Sequence, residues 1–507
     1  MHPVIVLTVA TGCAHLAVVS VLSATRRWAS LRRLSQTRGC KAARAEQVWD
    51  VLGILKIISA VRAVLSGNIL GYMDDLWATR GETYASSFLG QKVIFTCDAA
   101  AVKQVLVSRW GDYYAAKGLR KHMFRYLAPG AIGASDGQPW KQLRGMWRVE
   151  FSSLNDMFDI ASQEDHFQKL VRLIPKDGGA VDMQALFKNL LIDLIMAIFL
   201  GEPVGCLVPE RQSADKKRFV ECLDIVAARM AKEGFLGPAS FFYFAGRRET
   251  LQASAYLREY VERIIRRKLE ERQHRINNPN SNPVPGKCVL ESLMERTTDV
   301  AELRTHVLSL MVGANDSVGS FLSSTIWALS RDARVFAKLR ASILDNVGFE
   351  APTFQQLKSF PYLNQVLHEV LRLYPPLPFN ARIANKDTWL GSGGGPDGKD
   401  PLLVKCGQCV RSVRNFGDDA LEFWPERWEH LRENTPGFFP FLMGPRQCLG
   451  QQFAMLQATY ATIRLLQTFS QVESRDELPF QPTVGLSLVH RNGVSVACTP
   501  DPRNTAF

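Results

Sequence analysis

The chain has 507 residues, 46% of them hydrophobic, far more apolar material than one small core needs, so several domains or one large enzyme domain are open to it. Its formal charge of +12 is spread along the sequence, with no dense Lys/Arg tail and no aromatic-basic repeat, which argues against nucleic acid as a partner. A basic surface of this kind suits an anionic membrane face or an acidic protein instead. The 10 cysteines follow no disulfide-like rhythm, and Cys406-Gly-Gln-Cys409 lacks the second pair or histidines of a zinc site. These two read as ordinary strand or turn residues of a protein in a reducing compartment.

From Val4 to Ala24 no residue is charged. These 21 residues span about 31 Å as a helix, close to the ~30 Å of a bilayer core. Arg26, Arg27, Arg32 and Arg33 follow, which keeps that side cytosolic. The apolar stretch is longer than a cleaved signal requires, and its basic cluster comes after it. Residues 1–34 therefore read as a retained membrane anchor with a basic flank, and residues 35–507 as one large domain.

Helical patterns dominate that domain, over 98–108, 140–160, 182–200, 214–233, 250–275, 299–330, 354–373 and 450–468. Short β-type runs sit at Gln91–Thr96, Leu402–Val404 and Val494–Cys498. Asn277–Gly286 reads as a loop. Gly391–Gly398 is a Gly-rich turn without the lysine and following helix of a phosphate loop. The fold class is mainly α with small β-sheets.

The most informative stretch is Phe441-Leu-Met-Gly444-Pro445-Arg446-Gln-Cys448-Leu-Gly450. Gly444 and Gly450 permit a tight turn and a close approach of backbone to something flat. Cys448 stands just before an apolar helical run, and a helix N-terminus favours the thiolate. Arg446 is placed to meet an anionic group. Here the chain resembles the cytochrome P-450 superfamily, whose cysteine-loop pattern Phe-x-x-Gly-x-Arg-x-Cys-x-Gly is met at every fixed position. The resemblance implies haem b, with Cys448 as the thiolate ligand of the iron. A thiolate ligand donates electron density and favours O–O cleavage. The resemblance also implies Arg446 on a haem propionate and Phe441 beside the ligand.

Further motifs follow the family's order. Glu369-Val-Leu-Arg372 stand three residues apart on one helical face and can pair. With Phe423-Trp-Pro-Glu-Arg427 behind them they resemble the family's structural triad. Trp140-Lys-Gln-Leu-Arg144 resembles its propionate-binding pair, and Arg382 falls where another propionate arginine is common. Gly313-Ala-Asn-Asp316-Ser317 resembles the acid–alcohol segment, which implies Asp316 and Ser317 as the catalytic proton relay. O–O cleavage consumes protons in a dry site, so a relay has to reach it. Two departures stand there: Ser317 for the usual Thr, and Ala314 for the usual Gly.

The resemblance covers about residues 70–500 and is strongest to fungal microsomal alkane and fatty-acid hydroxylases. It implies the P-450 fold behind an N-terminal membrane helix, single-pass in the endoplasmic reticulum with the catalytic domain cytosolic. No dinucleotide fingerprint or flavin domain is present, so the implied electrons come from NADPH through a separate NADPH-cytochrome reductase. The implied substrate is an apolar small molecule: a long aliphatic chain, a fatty acid or a polyketide-type secondary metabolite. The implied pocket includes residues 110–135, 195–245, Leu308–Ser317, Leu377–Asn380 and Gly485–Leu488, and Phe241-Phe-Tyr-Phe244 reads either as a segment dipping into lipid or as core aromatics. Between Val410 and Phe416 only Arg411-Ser-Val-Arg-Asn415 stands where relatives carry about a dozen more residues. Two alternatives stay open: a haem protein whose monooxygenase activity is degraded by that shortened segment, and a reductase-independent isomerase or dehydratase on the same scaffold.

Overall fold

The computed structural model describes residues 29, 32, 33, 35–41, 53–88, 91–117, 119–152, 158–236, 240, 243–278, 288–395, 399–404, 408, 409, 416 and 419–504. The apolar stretch 4–24, Cys406 and the shortened segment 410–415 lie outside the described residues. The chain divides into two units. One comprises residues up to Ser59, Met73–Tyr114 and Ala381–Arg411; the other comprises Ala60–Tyr72, Ala115–Asn380 and Ser412–Phe507.

The smaller unit carries most of the short strands. Thr83–Phe88 and Gln91–Thr96 pair antiparallel with Thr83 opposite Thr96, and Gln408–Cys409 adds in parallel to the second strand. Thr388–Gly394 pairs antiparallel with Asp400–Val404, so the Gly-rich segment begins as a strand. The expected 98–108 helix is an α-helix, Ala99–Lys103, continued by a π-turn over Gln104–Ser108, and Asp98 caps it by accepting from Ala100 N.

The larger unit is built on helices. Its central helix, Val300–Leu329, starts where Asp299 accepts from Ala301 N and Glu302 N. Leu303, Val307, Met311, Val318, Phe321, Leu322 and Ile326 bury one broad stripe of it. The Met183–Leu200 and Gln451–Thr468 helices pack against it. Among the described residues Met183–Leu200 is the one helix long and apolar enough to cross a membrane, yet most of it is buried in the protein, as a core helix is. A three-stranded antiparallel sheet runs Ala180–Asp182, Ser495–Pro500, Phe469–Ser474.

Two expected helices have different limits. The 140–160 helix is Gly137–Glu150. The 354–373 stretch is two helices, Phe354–Leu357 and Pro361–Leu373, because Pro361 has no N–H to donate and takes the first turn of a new helix. Ile160–Val171 and Ala333–Val347 are helices that the apolar pattern did not single out, each started by an aspartate cap, Asp159 and Asp332.

Candidate active site

The cysteine loop folds through local hydrogen bonds. Cys448 N donates to Phe441 O at 2.9 Å and Gln447 N to Gly444 O at 3.0 Å. The reversal needs two left-handed residues, Leu442 at φ 59° and Gly444 at φ 70°. Gly444 is thus required by its torsion. Gly450, at φ −87°, is not, and it serves as the N-cap of the Gln451–Thr468 helix.

Cys448 is exposed by surface area, yet enclosing protein desolvates the thiol and pushes its pKa up. A sulfur both reachable and desolvated lines a deep recess. The Gly450 N–H and the charge of Arg144 act the other way, favouring thiolate. Among the described residues no three His, Cys, Asp or Glu side chains cluster to hold a bare ion, so a metal at Cys448 has to bring other ligands with it.

Trp140 and Arg144 come to this loop from the Gly137–Glu150 helix. The Arg446 guanidinium lies 3.9 Å from the Trp140 ring centroid, and Arg144 Nη1 donates to Gln447 O at 2.5 Å. Arg446 Nη2 donates to Asp136 Oδ1 at 2.6 Å and its Nη1 to Ser135 O at 3.0 Å. Asp136 holds the N-cap position of that helix without capping it. Its carboxylate instead accepts from the backbone N–H groups of Ala115, Ala116 and Lys117, each at 2.9 Å.

A third arginine, unforeseen from the sequence, joins them. Arg120 is desolvated enough to lower its pKa, and it feels the charge of Asp136. Its Nη2 donates to Asn380 Oδ1 at 3.3 Å. Burial, then the charges of Arg120 and Arg144, against the pull of Asp136, bring Arg446 down to about 10. Among the described residues neither Arg120 nor Arg144 has a carboxylate within ion-pair reach. Arg446 and Arg120 thus share one aspartate and Arg144 has none, a surplus of positive charge that suits the two carboxylates of a haem beside a thiolate. The donor set fits that group. No sequence pattern around Arg120 marked it; its role follows from its neighbours alone.

Asp316 and Ser317 sit midway along the central helix. Asp316 is desolvated, which raises its pKa, and Asn315 Nδ2 donates to its Oδ1 at 3.1 Å. Ser317 Oγ donates to Gly313 O at 2.8 Å, so the hydroxyl is oriented by the helix. Gly313 is exposed in this core helix, and a Cβ there would meet nothing within 4 Å. The turn thus faces open space while its other side is packed.

Glu369 is fully buried and accepts five hydrogen bonds: two from Arg372 at 2.8 Å each, and one each from Arg427 Nε, Trp428 Nε1 and Trp424 N at 2.9 Å. Arg427 also pairs with Asp419 at 3.1 Å. Arg382 belongs to the smaller unit, buried, with Nη1 donating to Ala381 O. Phe441 is partly buried against the core of the larger unit. Of the expected pocket residues, Leu488 is buried and donates its N–H to Pro376 O at 2.8 Å, whereas Leu377 is 54% exposed and so stands at a surface. Phe241 lies outside the described residues, and Phe244 is exposed.

A buried glutamate–arginine clamp, a cysteine loop ahead of a helix and an acid–alcohol turn on a long central helix together define a haem-thiolate protein. A cytochrome P450 family profile matches residues 47–496, and the chain belongs to that family. It is 31% identical to a cytochrome P450 monooxygenase, fsdH, of Fusarium heterosporum, over 94% of this chain and 86% of that one. It is 29% identical to cytochrome P450 52A13 of Debaryomyces hansenii, over 92% and 93%. Similarity to the P450 monooxygenase himC of Aspergillus japonicus is 31% over 90% and 84%. The protein is thus a monooxygenase of a family that carries haem iron on a thiolate.

Proposed function

We propose that the protein hydroxylates an apolar substrate, a long aliphatic chain, a fatty acid or a polyketide-type metabolite, using O₂ and electrons passed from NADPH by a separate reductase. Cys448 is the thiolate ligand of the iron, which the haem brings with it. Trp140, Arg144, Arg446, Arg382 and Arg120 take its propionates, and Phe441 packs beside the ligand. When bound, the haem supplies the oxygen activation, with one atom of O₂ inserted into a C–H bond and the other leaving as water.

The chain's own residues set the conditions for that chemistry. Desolvation pushes the Cys448 thiol pKa up, and the Gly450 N–H and Arg144 oppose it by favouring negative charge on Sγ. Burial favours the protonated form of Asp316, so its carboxyl can carry a proton where bulk water does not reach. Ser317 Oγ, fixed on the Gly313 carbonyl, keeps its lone pairs at the turn where Gly313 leaves space. Serine is less restrained about χ1 than the usual threonine, which loosens proton hand-over. Residues 1–34 anchor the chain in the endoplasmic reticulum, and residues 35–507 form the cytosolic catalytic domain.

The observation that carries this reading is the surplus of three arginines around the recessed Cys448. The test is the full chain, loaded with haem and mixed with NADPH and a cytochrome reductase, against alkanes, fatty acids and reduced polyketides. Hydroxylated product dependent on all components supports the reading. Haem binding with the thiolate-type reduced CO spectrum but no oxidation of any substrate supports the degraded-enzyme alternative. Conversion without NADPH supports an isomerase or dehydratase.

A further inference from the structure

Glu233 belongs to the Ala214–Leu236 helix and is as fully buried as Glu369. Its Oε1 accepts from Arg125 Nη2 at 2.6 Å and from Arg229 Nε at 2.7 Å. Its Oε2 is enclosed and has no donor among the described residues. Arg125 Nε is enclosed too, and among the described residues nothing accepts from it. Arg229 is complete, because its Nη1 and Nη2 donate to Ala245 O and Tyr243 O at 2.7 and 2.6 Å. One ion pair thus leaves an acceptor and a donor unused where bulk water does not reach. Buried polar atoms of this kind are satisfied by a ligand or an ordered water.

The pair stands among the segments expected around the substrate. Arg125 follows the Leu119–Phe124 helix, which packs against the Ala214–Leu236 helix. A Cβ on Gly234 would stand 2.8 Å from Met123 Sδ, so the approach is close. From the same short helix Arg120 donates to Asn380 Oδ1 at 3.3 Å and feels Asp136, the carboxylate of the arginine cluster beside Cys448. Arg120 and Arg125 are five residues apart, about 7.5 Å of helix. Farther along, a Cβ on Gly130 would stand 3.5 Å from Thr305 Cγ2 of the central helix. One short helix therefore joins residues 110–135, 195–245 and 377–380, with the open ion pair beyond its last turn.

The two unused atoms select what can occupy the gap. A hydroxyl or a carboxamide donates one hydrogen bond and accepts another, so it completes Glu233 Oε2 and Arg125 Nε together. A carboxylate only accepts, so it leaves Oε2 unpaired and sets a second negative charge beside it. An alkane end leaves both atoms unpaired. We propose that Arg125 and Glu233 form a polar subsite that holds an uncharged hydroxyl or carboxamide of an otherwise apolar substrate. Among the substrate classes above, this selects a polyketide-type molecule carrying such a group over an alkane or an ionised fatty acid. The proposal rests on the reading of the pocket given under the proposed function, and it concerns binding alone.

The haem-loaded full chain is titrated calorimetrically with decane, decanoate, decanol and decanamide, without NADPH, so that binding is read apart from oxidation. Decanol and decanamide should each bind about tenfold more tightly than decane or decanoate, because a site with polar atoms to satisfy rejects ligands that leave them unpaired. Arg125→Lys keeps a cation for Glu233 and removes Nε. It should weaken decanol and decanamide about tenfold and leave decane unchanged. The Arg125 side chain is 28% exposed and the ion pair is retained, so haem content and thermal midpoint should stay as in the parent. Glu233→Gln removes the like charge and should tighten decanoate about tenfold. Equal affinities for the four probes in the parent overturn the proposal, as does decanoate binding tightest. An unchanged ranking in Arg125→Lys also overturns it, and that variant decides the matter if Glu233→Gln fails to fold. Product formation with NADPH and reductase is measured alongside. Ranked binding with no probe oxidised leaves the subsite standing and counts against the proposed hydroxylation, whereas oxidation of unranked probes does the opposite.

Discussion

Two clusters of arginine stand in the larger unit, one buried and one partly buried, and they are built in opposite ways. Around Glu369 two guanidiniums, Arg372 and Arg427, meet two carboxylates, Glu369 and Asp419, and both Glu369 oxygens are saturated with donors. Around the cysteine loop three guanidiniums have one carboxylate among them, Asp136, which pairs with Arg446, acts on Arg120 and already serves three backbone N–H groups. The first cluster is complete in itself, so it contributes rigidity and nothing else can bind there. The second is electrostatically unfinished, and an unfinished, partly desolvated cluster costs stability unless a ligand completes it. Closed networks mark structure, and open ones mark a site.

The sharpest way to break the comparison is to remove Glu369. Glu369→Gln leaves two buried guanidiniums without their shared carboxylate and should cost about 3–5 kcal/mol, read as a collapse in soluble, haem-loaded protein and in the thermal midpoint. Arg120→Met should do the reverse to the apoprotein, leaving its midpoint equal or higher, while haem dissociates about tenfold faster. If Arg120→Met destabilises the apoprotein as Glu369→Gln does, the two clusters are alike and the contrast is lost. Cys448→Ala should remove the thiolate-type band of the reduced CO complex with little change in apoprotein stability, since its sulfur faces a recess.

Turnover effects should be of intermediate size. Asp316→Asn and Ser317→Ala should each slow product formation about tenfold or more while the substrate-induced spectral shift is retained, because proton supply acts after binding. Ser317→Thr should hold or raise product per NADPH by restraining the hydroxyl.

The smallest effect concerns pH and a third cluster. Burial raises the Glu426 carboxyl, but hydrogen bonds from Arg334, Lys338 and Tyr362 outweigh it and hold it at about 2. A carboxyl depressed on folding contributes stability above its unfolded value of about 4.3, and loses it as pH falls toward its folded value. Glu426→Gln should therefore lower stability at neutral pH by about 1 kcal/mol, with the gap closing as pH falls from about 4.5 to about 2. Melting curves across that range measure it.

The amino-acid sequence by itself determined what is local. The Glu369–Arg372 pair lies on one helical face at a spacing of three, and the cysteine loop is closed by bonds between Phe441 and Cys448 and between Gly444 and Gln447. The central helix shows as a long apolar pattern, and its start is marked by Asp299. The break at Pro361 was equally local, but a continuous apolar pattern on both sides concealed it. Tertiary structure decided which distant charges share a recess. Arg120, Asp136 and Arg446 are separated by as many as 326 positions; the cysteine-loop pattern marks Arg446, but nothing in the neighbourhoods of Arg120 and Asp136 distinguishes them from a surface arginine and a helix cap. Periodicity and hydrogen bonding over a few residues are written along the chain, whereas long-range desolvation and Coulomb coupling exist only once helices pack.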